Sequence, residues 1–149
     1  MTDWIFQGNR KRYDLDAAVA VSRQHWWSTP HYRDRTASGD PVWLQIVGRD
    51  HPGIYYLATI TTPTYEDPDW IDTGSAYGRW RTGIRFDYRI EPPLLRAELV
   101  GAAGLATFRP FRGFQGSTVP LPPGIASALS ARAAPRLEAL DLGDASGHS

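Results

Sequence analysis

The clearest periodic pattern in the chain is an alternation that begins near residue 79. Apolar residues stand at every second position, and most of the positions between them are charged. Successive side chains of a strand point to opposite faces, so this pattern predicts a β-strand with one buried face. One face carries Trp80, Thr82, Ile84, Phe86, Tyr88 and Ile90, and the other carries Arg79, Arg81, Arg85, Asp87 and Arg89.

Shorter strands are predicted earlier in the chain. Residues 3–7 are β-prone, and the turn-forming pair Gly8-Asn9 ends them. Residues 42–47 and 54–61 are two runs rich in β-branched and aromatic side chains, separated by a short glycine-bounded loop. We expect these two runs to form a β-hairpin.

Helices are predicted at three places. Asp14 or Asp16 is suited to cap a short helix over 17–21. The two carboxylates would also suit acid–base catalysis, but capping is sufficient to explain them. A weaker helical stretch covers 94–100, and a last helix runs from about 123 to 133. Together these elements predict a strand-dominated α+β fold.

A length of 149 residues suits one domain. We assign this domain to residues 1–140 and expect 141–149 to be a flexible tail. A long acidic surface loop is expected over 63–78, where prolines and glycines accompany four carboxylates.

The composition excludes several kinds of chemistry. Sixteen basic residues balance sixteen acidic ones, so the chain does not coat polyanions by net charge. Cysteine is absent, which removes disulfides, thiolate metal sites and thiol nucleophiles. Neither a signal-peptide pattern nor a run long enough for a membrane helix is visible, so a cytoplasmic protein without membrane contact is expected.

Common catalytic motifs are also missing. Lys11 is the only lysine and follows no phosphate-binding glycine loop, which excludes a P-loop nucleotidase. The string 74–78 has the wrong spacing for a nucleophile elbow. His25, His31 and His51 lack metal-ligand spacing. We therefore expect no enzymatic activity, no metal and no cofactor.

Aromatic residues are abundant, with six Trp, seven Tyr and five Phe. Indole and phenol rings combine a flat π face with a hydrogen-bonding tip, a combination that suits gripping a nucleobase. Trp27 is favoured for such a role because Ser28-Thr29-Pro30 makes a polar, irregular neighbourhood. The arginines of the 79–89 face suit nucleic-acid backbone contacts, or they pair with carboxylates such as Asp87.

Several separated strings resemble the EVE domain, a member of the PUA-like group that also includes the YTH readers. The most specific is the opening Trp-Ile-Phe-Gln-Gly-Asn-Arg-Lys-Arg-Tyr-Asp at 4–14, and Gln-Gly-Ser at 115–117 resembles the Gln-Gly-Thr segment of the family. Arg10 stands in place of the usual proline, and Gln45 stands where many relatives carry a tryptophan. Either Trp43, two residues earlier, compensates, or Gln45 hydrogen-bonds the base.

The resemblance implies a strongly bent, partly closed mixed β-barrel with short flanking helices and a pocket that accepts a modified base. Trp27 would form a wall of this pocket, and Gln7, Asn9 and Ser28 would contact the edge of the base. The full expected ligand-binding set is Phe6, Gln7, Gly8, Asn9, Trp27, Ser28, Thr29, Trp43, Gln45, Trp80, Gln115, Gly116 and Ser117. The expected contacts to the nucleic-acid backbone are Arg10, Lys11, Arg12, Arg81, Arg109 and Arg112.

The leading hypothesis is a non-enzymatic reader that flips a modified base, favouring a cytosine such as 5-methylcytosine in DNA, into an aromatic cage. A separate effector protein would then act downstream. One alternative is a reader of modified RNA or tRNA. The other is a small-molecule or nucleotide sensor, or a hydrolase that uses His51 and the acidic residues 66–72.

Overall fold

The computed structural model describes residues 1–9, 14–29, 31–48, 50–68, 80–112 and 118–140. The strands in this part of the chain are β1 Trp4–Asn9, β2 Gln24–Ser28, β3 Pro41–Val47, β4 Gly53–Glu66, β5 Trp80–Leu95, β6 Thr118–Pro120 and β7 Leu137–Ala139. The α-helices are α1 Leu15–Val21, α2 Arg96–Gly101 and α3 Pro123–Ala133, and 3-10 turns cover Arg109–Arg112 and Ala134–Arg136.

The strands form one mixed sheet in the order β2-β5-β4-β3-β1-β6. The short strand β7 pairs with residues 88–90 of β5. β1 runs parallel to β3, and the other pairs are antiparallel. The long β4–β5 pair shifts register at four places. Such irregularities bend and twist strands, and the sheet curls into a half-barrel with the three short helices around it. The predicted α+β architecture is confirmed.

Most predicted elements are present, with changed ends. The β3–β4 hairpin is confirmed, and α3 covers the predicted residues. Asp14 caps α1, since its Oδ1 accepts a hydrogen bond from the backbone N–H of Ala17 at 3.1 Å. The helix predicted from 94 begins only at Arg96, because Leu94 still pairs with β4. The loop expected from 63 begins later for the same reason, since β4 continues to residue 66. Residues 69–79 and 141–149 lie outside the described ranges.

The sheet separates two buried clusters. The first contains Trp4, Phe6, Val42, Leu44, Ile84 and Phe86, and the second contains Ile5, Trp43, Ile54, Ile90 and Leu94. Neighbouring residues of β1 and of β3 alternate between the clusters, as a pleated strand requires. We call these the first face and the second face of the sheet.

The single apolar face predicted for β5 is wrong beyond Phe86. Ala58 pairs with Phe86 and Leu57 pairs with Tyr88, so Asp87 is an extra residue in this strand. An extra residue reverses the alternation that follows it. Ile90 therefore belongs to the second face, whereas Phe86 belongs to the first. Tyr88, predicted to be buried, is 37% exposed.

Candidate functional site

Trp27 lies on the first face, against the middle of β1. The centre of its ring system is 6.2 Å from that of Phe6, with the two planes tilted by 30°. A Cβ atom added to Gly8 would lie 3.3 Å from two indole carbons of Trp27, tighter than most real contacts. The absence of a side chain at Gly8 therefore lets the indole rest on the strand. Trp27 is 9% exposed, whereas Trp26 points the other way along β2 and is 41% exposed.

Thr118 adds a polar atom to this face. Residues directly opposite in an antiparallel pair share a face, and Thr118 of β6 stands opposite Phe6. Its Oγ1 is buried and has no hydrogen-bond partner among the residues that the structure describes. A buried hydroxyl without a partner is unusual, because the desolvation of the group is not compensated. Thr118 is not among the site residues expected from the sequence, although it directly follows the predicted segment 115–117.

A group of threonine hydroxyls borders Trp27 on the side of β5. Thr82 stands opposite Trp27 in the β2–β5 pair. The Oγ1 atoms of Thr29 and Thr82 are in contact, and that of Thr64 lies 2.6 Å from Thr82 Oγ1. Thr36 Oγ1 lies 2.8 Å from Thr64 Oγ1 and accepts a hydrogen bond from the Thr64 backbone N–H at 2.9 Å. These bonds tie β2, β4 and β5 together beside the indole.

Gln7 and Gln45 lie on the second face, away from Trp27. Gln7 Nε2 donates to Gln45 Oε1 at 2.8 Å, and Gln45 Nε2 donates to the carbonyl oxygen of Pro110 at 2.9 Å. Both amides are buried. Gln7 Oε1 has no hydrogen-bond partner within the described ranges. The structure thus joins two predicted site residues to each other rather than to the indole.

Trp43 also lies on the second face. It is 2% exposed, and its Nε1 donates to Asp3 Oδ2 at 3.1 Å. The structure therefore does not bring Trp43 to Trp27. Asn9 is half-buried at the end of β1, where it pairs with Val47 of β3.

The remaining predicted residues of β2 and β5 lie at the same end of the β2–β5 pair as Trp27. Ser28 stands opposite Arg81, and its Oγ is buried without a hydrogen-bond partner in the part of the chain that is described. Trp80 is half-buried, with the guanidinium carbon of Arg33 4.1 Å from its ring centre. The backbone N–H of Thr29 donates to the Trp80 carbonyl oxygen at 3.2 Å.

Two of the outward arginines of β5, Arg81 and Arg85, are paired with acids. Arg81 forms an ion pair with Asp67, and its guanidinium carbon is 4.9 Å from the ring centre of Trp26. Asp87 accepts from Arg85 Nε at 2.7 Å and from Arg23 Nη2 at 3.2 Å. The sequence left two roles open for these arginines, nucleic-acid backbone contacts or pairing with carboxylates. In the structure Arg81 and Arg85 pair with carboxylates.

Arg109 and Arg112 differ from these arginines. Both are exposed on the 3-10 turn after α2. Arg112 Nη2 donates to the Ala106 carbonyl oxygen at 3.0 Å. Neither arginine forms an ion pair with a carboxylate of the described residues. The predicted residues Arg10, Lys11, Arg12, Gln115, Gly116 and Ser117 lie outside the described ranges.

Two of the histidines, His25 and His51, have ordinary hydrogen-bonding partners. His25 Nε2 lies 2.7 Å from the Ser22 carbonyl oxygen, and His51 Nδ1 lies 2.6 Å from Asp50 Oδ1. Among the described residues, no group of three or more His, Asp or Glu side chains is placed to hold a metal ion. None of the helices in the described ranges is both long and apolar enough to span a membrane.

Neither a family model nor a curated protein matches this chain. Solved structures match over almost the whole chain. A hypothetical protein of Leishmania major is 17% identical with a TM-score of 0.72, covering 91% of this chain and 96% of its own. Human THYN1, solved in complex with DNA containing 5-methylcytosine, is 13% identical with a TM-score of 0.68, covering 89% and 97%.

The YTH domain of Zygosaccharomyces rouxii MRB1, solved in complex with N6-methyladenosine RNA, is 14% identical with a TM-score of 0.52, covering 88% and 85%. At these identities the likeness shows the fold. The chain has a PUA-like α+β fold, and the resemblance to EVE domains drawn from its sequence is confirmed at that level.

Proposed function

We propose that this chain is a non-enzymatic reader that holds a modified nucleobase, flipped out of its strand, against Trp27. The observation that carries the proposal is the first face of β1. There an indole rests on Gly8 and on Phe6, and the Thr118 hydroxyl, which has no hydrogen-bond partner among the described residues, lies opposite Phe6. A flat aromatic surface with a free hydrogen-bonding group is what a flipped base requires.

The free-energy balance supports a reader of moderate affinity. Flipping a base costs a few kcal/mol, and stacking it on an aromatic side chain returns about 1–3 kcal/mol. A hydrogen bond to Thr118 Oγ1 adds about 1 kcal/mol, because this atom has no described partner to lose. A methyl group buried with the base adds about 0.8 kcal/mol, or roughly a fourfold preference over the unmodified base. The rest of the affinity must come from salt-sensitive phosphate contacts.

The modified base is proposed to be a cytosine in DNA. Support comes from the fold shared with human THYN1, whose structure contains DNA with 5-methylcytosine. The competing proposal is a reader of modified RNA, and its support is the more distant likeness to a YTH domain solved with N6-methyladenosine RNA. The 2′-hydroxyl distinguishes the two, so matched DNA and RNA strands decide between them.

The test is a fluorescence-anisotropy titration at fixed low salt. Matched DNA and RNA oligonucleotides carry unmodified, methylated or hydroxymethylated cytosine, or N6-methyladenine. We expect the wild-type protein to bind methylated-cytosine DNA most tightly and its tryptophan emission to be quenched. Trp27→Ala should lose about tenfold or more in affinity and lose the preference for the modified base.

Trp26→Ala is the matched control. It removes the adjacent tryptophan, which lies on the other face of β2 and is well exposed. This variant should keep the preference for the modified base. The proposal is wrong if Trp27→Ala discriminates as the wild type does, or if the wild type binds all the oligonucleotides equally weakly.

A further inference from the structure

A cavity of about 540 Å³ opens beside β6. Its walls come from Tyr32, from the 3-10 turn at residues 109–112 and from Val119 and Pro120 of β6. Ligand pockets for small molecules commonly have volumes of about 300–1,000 Å³. The cavity is therefore large enough for one nucleotide.

Its walls are mainly apolar and carry two aromatic rings. Phe108 is braced by Phe111, with the ring centres 4.9 Å apart at 70°. Tyr32 is 44% exposed, and its ring centre lies 6.2 Å from that of Trp4. The backbone of Tyr32 has a φ of +58°, a left-handed conformation that side chains other than glycine rarely adopt. An aromatic ring is thus held at the rim by a strained backbone.

Two cationic side chains stand at this cavity. Arg109 and Arg112 line it, and neither is paired with a carboxylate of the described residues. Arg112 gives one hydrogen bond to a backbone carbonyl, which leaves other donors of its planar fork for a ligand. Guanidinium groups match phosphate oxygens in shape and charge. The cavity therefore combines an apolar, aromatic wall with guanidinium groups that can donate hydrogen bonds to a phosphate.

β6 connects this cavity with the Trp27 site. Thr118 stands opposite Phe6 and Pro120 stands opposite Trp4, both on the first face, and Pro120 also lines the cavity. Val119, between them, packs against the second cluster and lines the cavity from that side. A strand rises about 3.3 Å per residue, so Pro120 lies about 7 Å along β6 from Thr118. One phosphodiester linkage spans such a distance.

We propose that this cavity binds the nucleotide next to the read base in the same strand. The neighbouring base lies against Tyr32 and the apolar wall, and its phosphate is held by Arg109 and Arg112. This inference rests on the proposed function, because it requires a base held at Trp27. It adds a second subsite, which makes the protein a reader of a modified base within a dinucleotide.

The test compares single-stranded DNA containing one 5-methylcytosine with the same strand made abasic on one side of that base. Removing the neighbour on the side that enters the cavity should weaken wild-type binding at least fivefold, and removing the other neighbour should have little effect. Tyr32→Ala should weaken binding to the intact strand by the same factor and should show no further loss with the abasic strand. Tyr32→Phe should bind as the wild type does.

Two controls separate a specific effect from a general one. Tyr88→Ala removes another surface tyrosine of similar exposure and should leave both affinities unchanged.

Arg109→Gln should reduce the slope of log affinity against log salt by about 0.7, the value for one phosphate contact of a single strand. Arg85→Gln removes an arginine already paired with Asp87 and should leave that slope unchanged.

The two proposals fail in different ways. If the wild type prefers the methylated strand but Tyr32→Ala keeps wild-type affinity for intact and abasic strands, the second subsite is wrong and the reader function stands. If the wild type shows no preference for the methylated strand, the reader function is wrong and the second subsite falls with it.

Discussion

The two faces of β1 bury polar groups in opposite ways. On the second face Gln7 Nε2, the Gln45 amide and the Pro110 carbonyl form a chain of hydrogen bonds within the protein, and Gln7 Oε1 alone of these atoms has no described partner. On the first face Thr118 Oγ1 is buried without a described partner, opposite Phe6, whose ring centre lies 6.2 Å from that of Trp27. Both arrangements adjoin β1, one at Gln7 and the other opposite its neighbour Phe6.

The difference separates a structural role from a binding role. A buried amide whose hydrogen bonds are made inside the protein must break them before it can bind a ligand, which costs free energy. A buried hydroxyl with no partner loses nothing when a ligand arrives. The second face is therefore expected to govern stability, and the first face to govern binding.

The largest expected effect is that of Gln45→Leu on stability. This change leaves two buried groups unpaired, the Gln7 amide and the Pro110 carbonyl. At about 1–3 kcal/mol for each group, the free energy of unfolding should fall by about 2–6 kcal/mol. Urea denaturation measures this loss.

The double variant Gln7→Leu with Gln45→Leu is the control. It removes both amides, so it should cost less than the sum of the two single changes. Affinity for the modified strand, measured below the unfolding transition, should stay at the wild-type value for Gln45→Leu. Unchanged stability together with weaker binding would assign Gln45 to the ligand and overturn the comparison.

Tyr56 shows that a polar group on the first face can also be purely structural. Its hydroxyl donates to Asp16 Oδ1 at 2.6 Å, and burial, aided by that carboxylate, raises its pKa to about 12. Its pKa in the unfolded chain is about 10. The stabilisation should therefore be complete below pH 10 and should fall by about 1.4 kcal/mol per pH unit between pH 10 and 12.

Tyr56→Phe isolates this effect, because the other tyrosines titrate in both proteins. The difference in unfolding free energy between wild type and variant should be constant from pH 7 to 9.5 and should shrink above pH 10. A difference that stays constant to pH 11.5 would show that the phenol is not held protonated by burial and Asp16.

The fold was predictable where apolar residues recur at one regular spacing along a whole helix or strand. The α3 boundaries followed from a proline at the helix start and a regular apolar spacing. The β3–β4 hairpin followed from two apolar runs around a turn. The reversal in β5 was not predictable, because one extra residue at Asp87 changes the face of Ile90 without changing the composition of the strand.

The candidate site was predictable only in part. Trp27 stood out because of its polar neighbours, and Gly8 because of the resemblance. Side chains alternate between the two faces of a strand, so Gln7 must point away from Phe6 and Gly8. The set of ligand-binding residues expected from the sequence nevertheless placed all three in one pocket. Thr118 carried no such pattern, because its place opposite Phe6 depends on pairing between strands far apart in the chain.

A smaller effect is expected from Gly8→Ala. The new Cβ would lie 3.3 Å from the indole carbons, so Trp27 must shift by a few tenths of an ångström. Such overpacking typically costs about 1–3 kcal/mol. The free energy of unfolding should fall within this range, and the preference for the modified base should weaken. Gly124→Ala, at a position where a Cβ meets nothing within 4 Å, should not weaken that preference.

The smallest effect, and the sharpest test of the first face, is that of Thr118→Val. Valine keeps the shape of the side chain and removes only the hydroxyl, which has no hydrogen bond within the described residues. The free energy of unfolding should therefore stay within about 0.5 kcal/mol of wild type or rise. The affinity for the modified strand should fall about three- to tenfold, as expected for one lost hydrogen bond of about 1 kcal/mol. Lower stability with unchanged affinity would mean that Thr118 serves the fold, and the contrast between the two faces would not hold.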